Sequence, residues 1–247
     1  MTGDIIFIVG SGRTGTNFLS HFFSKDDYLK RVEAPLTFKL SIDLAVNKYS
    51  NKKYEELLSV YGKLLDSTNR PVIEKSHPLL WVAEKLSKDL IKSKFIIMDR
   101  NPYSVVSSML KHRGSMSWYK KEELFRLGNK FLGIINKEIL KDYKLMSPEY
   151  KCVLKYLSHH SKGTRLNVLD NFLKIEYEDL ILDTDAEISK IEGFIGLRLN
   201  GRPGVVNNIY KHKSGLSKTQ KREVSKALRE FGPVFSSPYE GGCDEEH

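Results

Sequence analysis

Cysteine is scarce in this chain: its 247 residues include two, Cys152 and Cys243. Two cysteines cannot build a disulfide framework, and neither stands in a metal-ligand spacing. Both are expected to be free thiols in a reducing compartment. Long apolar runs are also missing, and no stretch approaches the roughly 18 apolar residues of a membrane span. The start, Met1-Thr2-Gly3-Asp4 followed by the short run Ile5 to Val9, lacks the basic end, longer apolar core and cleavage site of a secretory signal. The expectation is a cytoplasmic protein. Repeats, low-complexity tracts and clear linkers are absent too. A single domain over residues 1–247, with an irregular tail from about 231, is the simplest organisation.

What the chain does have is apolar material and positive charge. Hydrophobic residues make up 40% and aromatics 11%, enough for a full core, which excludes wholesale disorder. Lys and Arg number 40 against 31 Asp and Glu, a net charge of +9. That excess predicts an anionic partner: nucleic acid, nucleotide, membrane surface or acidic substrate.

The pattern along the chain is α/β. Ile5 to Val9 reads as a strand buried on both faces. A glycine-rich turn follows, then helical spacing through Phe23. Ser41 to Asp66 suggests one or two surface helices, and Pro71 to Ile73 a short strand. Leu79 to Ile91 is amphipathic. Lys94 to Met98 reads as another buried strand, followed by a helix opening near Pro102. Trp118 to Tyr143 reads as mostly helical, Phe172 to Ile175 as a strand, and Asp185 to Ile195 as a helix. A basic helix from about Ser217 to Arg229 closes the pattern.

The most informative segment is Val9-Gly10-Ser11-Gly12-Arg13-Thr14-Gly15-Thr16-Asn17, between strand and helix. A glycine loop there lets backbone N–H groups converge on a phosphate-like group. Gly10, Gly12 and Gly15 satisfy the dinucleotide pattern, with Glu33 lying 23 residues after Gly10. That acid should end a second strand, yet Asp26 to Val32 reads poorly as one. Gly10 and Gly15 also have the spacing of a triphosphatase loop, and Asp99 mimics the acid at the end of its metal-binding strand. In that motif Lys and then Ser or Thr follow the last glycine; here Thr16-Asn17 stand instead, and the cation, Arg13, sits inside the loop.

Gly12-Arg13-Thr14-Gly15-Thr16 resembles the donor loop of sulfotransferases that use 3′-phosphoadenylyl sulfate (PAPS). Three further segments resemble that family in the same order. Val72 to Pro78 contains Lys75-Ser76-His77, similar to its Lys-(Ser/Thr)-His triplet. Phe95 to Ser108 has a strand ending near Arg100 and a Ser eight residues on, similar to its 3′-phosphate site. Phe172 to Leu180 has a strand followed by Tyr177-Glu178-Asp179-Leu180. The closing Arg-Lys-Gly and Gly-Asp-Trp-Lys-Asn stretches of the cytosolic branch are not found. Lys211 to Lys213 is the candidate replacement, as a basic gate.

The resemblance implies a three-layer, P-loop-type parallel sheet flanked by helices, and sulfuryl transfer from PAPS to a hydroxyl or amine. It implies that Ser11, Gly12, Arg13, Thr14, Gly15, Thr16 and Asn17 hold the 5′-phosphosulfate. Arg100 and Ser108 would read the 3′-phosphate, and Tyr177 would border the adenine. Arg13 and Lys75 would stabilise charge in an in-line transfer that needs no metal. Two bases stay open. His77 titrates near neutrality, at about 6.5 when unperturbed. Glu33 stands twenty residues beyond Arg13, as in the tyrosylprotein branch. Sugar, lipid, phenol and peptide tyrosine are all open as acceptors. The segments 41–66 and 114–143, with Tyr49, Tyr54, Tyr61, Trp118 and Tyr119, are the candidate specificity regions. The competing functions are a nucleotide-dependent kinase or P-loop binding protein and, for the charge alone, a nucleic-acid binder, which has no recognised motif here.

Overall fold

The computed structural model describes residues 4–23, 27–46, 50–199 and 215–236. The elements follow one another as β1 (Ile5–Gly10), α1 (Thr16–Phe22), β2 (Leu29–Val32), α2 (Pro35–Val46), α3 (Asn51–Asp66), β3 (Val72–Lys75), a 3-10 turn (His77–Trp81), α4 (Ala83–Asp89) and β4 (Ser93–Asp99). Next come α5 (Pro102–Leu110), α6 (Arg113–Trp118), α7 (Lys137–Tyr143), α8 (Pro148–Leu166), β5 (Phe172–Glu176), α9 (Tyr177–Leu182), α10 (Thr184–Ile195) and α11 (Lys218–Ser236).

The five strands form one parallel sheet in the order β2-β3-β1-β4-β5. β1 lies in its centre, and all six of its residues are buried. Alternation along the strand sends Ile5, Phe7 and Val9 to one face and Ile6 and Ile8 to the other. The first face packs on α2, α3, α4 and the end of α8 through Leu40, Leu57, Leu86 and Leu166. The second packs on α1, α9 and α10 through Leu19, Leu180, Ile188 and Ile191. Three layers result, as expected of strands apolar on both sides. Register is visible in the rings: Phe7, Phe95 and Phe172 are cross-strand partners, stacked at 4.8 and 4.7 Å.

A third apolar cluster gathers α5, α7, α8 and α11 beside the sheet. Among the described residues no helix is long and apolar enough to cross a membrane.

Four expectations change. Leu29–Val32 is a strand, although its residues read poorly as one, because β3 pairs with it at the sheet edge. Residues 118–143 are mostly not helical. Gly128 and Gly133, both at positive φ, break the segment into 3-10 turns before α7. The tail is not irregular from 231: α11 continues through Pro233 to Ser236. Proline costs helix stability, but Phe231 and Phe235 are buried, and Ser161 donates to the Phe235 carbonyl at 2.7 Å. The fourth is α8, nineteen residues for which no helix was expected. It buries Lys151, Lys155, Ser158, His159 and Ser161 among its apolar residues, which blurs the amphipathic period.

Candidate active site

The carboxyl ends of the strands meet along one edge of the sheet, the usual ligand position in open α/β sheets. β1 runs into Gly10, and residues 11–15 turn the chain into α1. Two glycines are required by geometry. Gly10 has φ +145 and backs onto the Met98 carbonyl of β4, where a Cβ would collide. Gly15, at φ +99, faces the Tyr177 ring, and a Cβ there would lie 2.8 Å from Cε2 and nearer still to Cδ2. Thr14 closes the loop, its hydroxyl donating to the Ser11 carbonyl at 2.7 Å. Ser11, Thr14 and Thr16 are buried, whereas Arg13 and Asn17 are exposed.

Arg13 itself has φ +82, a left-handed conformation unusual for a residue with a side chain. Its Nε donates to Ser108 Oγ on α5 at 2.9 Å. Arg100, after β4, donates from Nη1 to the Arg13 carbonyl at 3.3 Å. Its guanidinium lies 4.4 Å over the Tyr177 ring, and Nε is 3.8 Å from Glu178. Arg13, Arg100, Ser108 and Tyr177 therefore form one contiguous group. The resemblance set Arg100 and Ser108 together and Arg13 apart; here Arg13 stands between the other two.

Asp99, at the end of β4, is occupied. Its carboxylate accepts from the Arg100 N–H at 2.8 Å and pairs with Lys174 at 2.8 Å and His160 at 2.5 Å. Those partners hold its pKa below the ordinary value although burial acts the other way. This acid is committed to anchoring Arg100 and β5.

The second group lies at the ends of β2 and β3. Glu33 follows β2 with φ +48, and its N–H extends the ladder by donating to the Lys75 carbonyl at 2.8 Å. One carboxylate oxygen, Oε1, pairs with Lys75 Nζ at 2.5 Å and with His77 Nδ1 at 3.2 Å. Glu33 is pulled down to about 2, first by the His77 hydrogen bond, against an opposing effect of burial, with the Lys75 bond and charge adding to the lowering. His77 is held below its ordinary value by burial, which outweighs the Glu33 bond. With Nδ1 toward the carboxylate, the other ring edge faces the loop: a Cβ placed at Gly12 would lie 3.7 Å from Nε2. Phe38 of α2 packs on the imidazole with centroids 5.7 Å apart.

The glycine loop thus lies beside His77, and Glu33 joins Lys75, at the end of β3, to His77, in the turn that follows. A Sulfotransferase domain family model matches residues 3–234 of the chain. The chain belongs to the sulfotransferase domain family. No curated protein sequence matches it significantly. Among solved structures it is similar to a sulfotransferase domain from the curacin biosynthetic pathway, at 16% identity and TM-score 0.56, covering 93% of this chain and 98% of that one. It is also similar to a sulfotransferase from Alicyclobacillus acidocaldarius, at 16% identity and TM-score 0.56, covering 95% and 96%. A third, the sulfotransferase domain of the Synechococcus PCC 7002 olefin synthase, has 15% identity and TM-score 0.54, with 93% and 94% covered. At such identities these structures speak for the fold.

In this sulfotransferase several aromatics of the candidate specificity segments, which could line a pocket or pack, are core residues. Tyr54, Tyr61 and Tyr119 are buried, Tyr61 edge-on against Phe7 at 5.2 Å. Trp118 packs on Phe131 at 5.5 Å. Tyr49, Lys211 to Lys213 and Cys243 lie outside the described residues. Cys152 is a buried thiol pushed up to about 12 by its apolar surroundings, so it is inert at neutral pH. A cavity of about 760 Å³ lies elsewhere, between Trp81, Arg126, Ile135 and Leu169, and none of Glu33, Lys75, His77 or the loop lines it. The residues that sequence reasoning missed are His160 and Lys174, the partners of Asp99, together with Phe38 and the buried basic face of α8. The only signal for the last was an unusual density of Lys and His between Lys151 and His160.

Proposed function

We propose that this sulfotransferase moves a sulfuryl group from PAPS to an acceptor hydroxyl, with His77 as the general base and Glu33 as the carboxylate that orients it. The observation that carries this is the single Glu33 oxygen shared by Lys75 Nζ and His77 Nδ1, with the imidazole beside Gly12. A carboxylate depressed to about 2 is too weak a base for a hydroxyl. An imidazole held neutral, with Nδ1–H donated to Glu33, presents a bare Nε2 lone pair. Glu33 then plays the part of the orienting acid in other base–carboxylate pairs: it fixes the tautomer and offsets the charge that forms on His77.

The acceptor oxygen attacks sulfur, its proton passes to His77, and the S–O bond to the leaving phosphate breaks in line. Charge grows on the leaving oxygen, where Lys75, Arg13 and the amides of residues 11–16 supply fixed donors. Thr16 and Asn17 would complete the 5′ contacts. Arg100 and Ser108 would take the 3′-phosphate, with the Arg13–Ser108 contact opening as the nucleotide enters, and Tyr177 would border the adenine. A kinase reading loses support twice: Thr16-Asn17 replace its Lys and hydroxyl pair, and Asp99 is spent on His160 and Lys174. The two cysteines, one an inert thiol, suit a reducing, cytoplasmic setting.

Thermal denaturation with 3′-phosphoadenosine 5′-phosphate, set against ATP with and without magnesium, tests the donor. Stabilisation by the bisphosphate, indifferent to magnesium and lost in Arg100→Ala, is expected. Stabilisation by magnesium-ATP alone would refute the reading.

A further inference from the structure

The cavity between Trp81 and Leu169 has a volume of about 760 Å³, within the roughly 300–1,000 Å³ of small-ligand pockets. Its charges are uneven. Arg126, Lys130, Lys162 and Arg165 line it, against the single carboxylate of Glu84. That carboxylate is already engaged, 3.1 Å from Lys162 and 3.6 Å from Lys88. The cations gather for a helical reason. Ser158, Lys162, Arg165 and Leu166 all line the cavity because their spacing puts them on one face of α8. Ser158 Oγ donates to the Lys130 carbonyl at 2.6 Å, which brings Lys130 alongside that face. Arg126 donates to the Val46 carbonyl at the end of α2. Arg165 donates from Nε and Nη2 to the Ser161 carbonyl and hydroxyl, at 3.3 and 2.9 Å. The rest of its fork is open to another acceptor.

The other side of the cavity is apolar and mostly aliphatic. Leu44, Ile135, Leu166 and Phe235 form a buried wall. Trp81 spends its N–H on His159 at 3.1 Å, so it contributes an apolar ring. Leu127, Leu169 and Val234 line the same cavity yet are 48%, 38% and 37% exposed. Exposed apolar side chains gathered on one concavity mark a binding site. A polyphosphate or a sugar would set polar groups against these carbons, and a neutral lipid would leave the cations unused. None of Glu33, Lys75, His77 or the donor loop lines the cavity, so a molecule bound there is not placed to receive the sulfuryl group.

We propose that this cavity is a second ligand site, for an amphiphile with one oxyanion head, carboxylate or sulfate, on an aliphatic chain. The head meets the basic face of α8, where the Arg165 fork matches a two-oxygen acceptor. The chain lies against the leucines and the Trp81 ring and takes them out of water. The site stands whether or not PAPS is the donor.

The test is isothermal titration of the full chain with decanoate, decyl sulfate, 1-decanol and acetate, below micelle-forming concentrations. One equivalent of decanoate or decyl sulfate is expected to bind, at least about tenfold more tightly than 1-decanol. Acetate, a head without a chain, should give no measurable binding. In Trp118→Phe, where Trp81 is the only tryptophan left, emission should shift with the same midpoint. Two substitutions at exposed side chains probe the lining. Arg165→Gln should weaken the anions by about tenfold and leave 1-decanol unchanged. Leu127→Glu, which sets a second carboxylate in the lining, should remove anion binding. Both should keep their Tm and their stabilisation by the bisphosphate. The tighter of the two anions names the head. No binding of either anion, equal affinity for 1-decanol, or anion binding unmoved by both substitutions overturns the proposal. So does competition with the bisphosphate, which would put the anion in the donor site. Failure of the bisphosphate to bind wild type would instead remove the donor reading and leave this site standing.

Discussion

Gly15→Ala tests how the loop is held. Gly15 has φ +99, and an alanine there pays left-handed strain of about 1–2 kcal/mol. Its Cβ would lie 2.8 Å from Tyr177 Cε2 and nearer to Cδ2, where carbons rest at about 3.5–4.0 Å. The ring must retreat by about 1 Å. It cannot do so freely, because Phe18 stands edge-on at 5.5 Å and Arg100 covers a face at 4.4 Å. Overpacking of this kind costs about 1–3 kcal/mol. The sum is about 2–5 kcal/mol, a Tm loss on the order of 5–15 °C for a domain of this size. Tyr177→Ala separates the two parts. In that background Gly15→Ala should cost only the strain, so chemical denaturation of the four proteins should give a coupling of about 1–3 kcal/mol. Isothermal titration with the bisphosphate should show weaker binding in Gly15→Ala, since Arg100 moves with the ring. Additivity within about 0.5 kcal/mol would mean that Tyr177 is not the obstacle, and the account of the loop would fall.

Four other outcomes are expected. Arg13→Ala and Lys75→Ala should each lower kcat/KM by at least about a hundredfold, with circular dichroism unchanged; near-normal turnover in either would remove its role in charge stabilisation. The pH profile of kcat/KM should stay flat through 6.5 and fall only below it, because His77 is held under its ordinary value. Glu33→Gln removes a bond that raises His77, so the acid limb should move lower while kcat drops; an unchanged limb would separate Glu33 from the base. Cys152 should resist a thiol reagent in the native protein at pH 8 and react on unfolding; rapid native labelling would contradict its burial.

Much of the fold was legible because its strongest signals are local. Ile5 to Val9 and Lys94 to Met98 are apolar without alternation, which only strands covered on both faces require. Leu29–Val32 was not legible, since an edge strand takes its conformation from the neighbour that pairs with it. Nor was α8, where Lys151, Lys155 and His159 are buried among the apolar residues and blur the helical stripe.

The sequence by itself determined the loop and the order of its companion segments, because each rests on contiguous residue types: a glycine where φ is positive, a cation within the loop, an Arg at a strand end. Only the tertiary structure decided how those segments meet. Glu33 and His77 are 44 residues apart in the chain, and parallel pairing of β2 with β3 sets one carboxylate against both Lys75 and the imidazole. Arg13 and Ser108 are 95 residues apart and bonded. Lys155 shows nothing unusual as a letter in the sequence; its burial on α8, without an ion-paired carboxylate among the described residues, comes from packing. Spacing can specify what a segment binds, but proximity across strands and the loss of water around a charge arise only when the chain is packed.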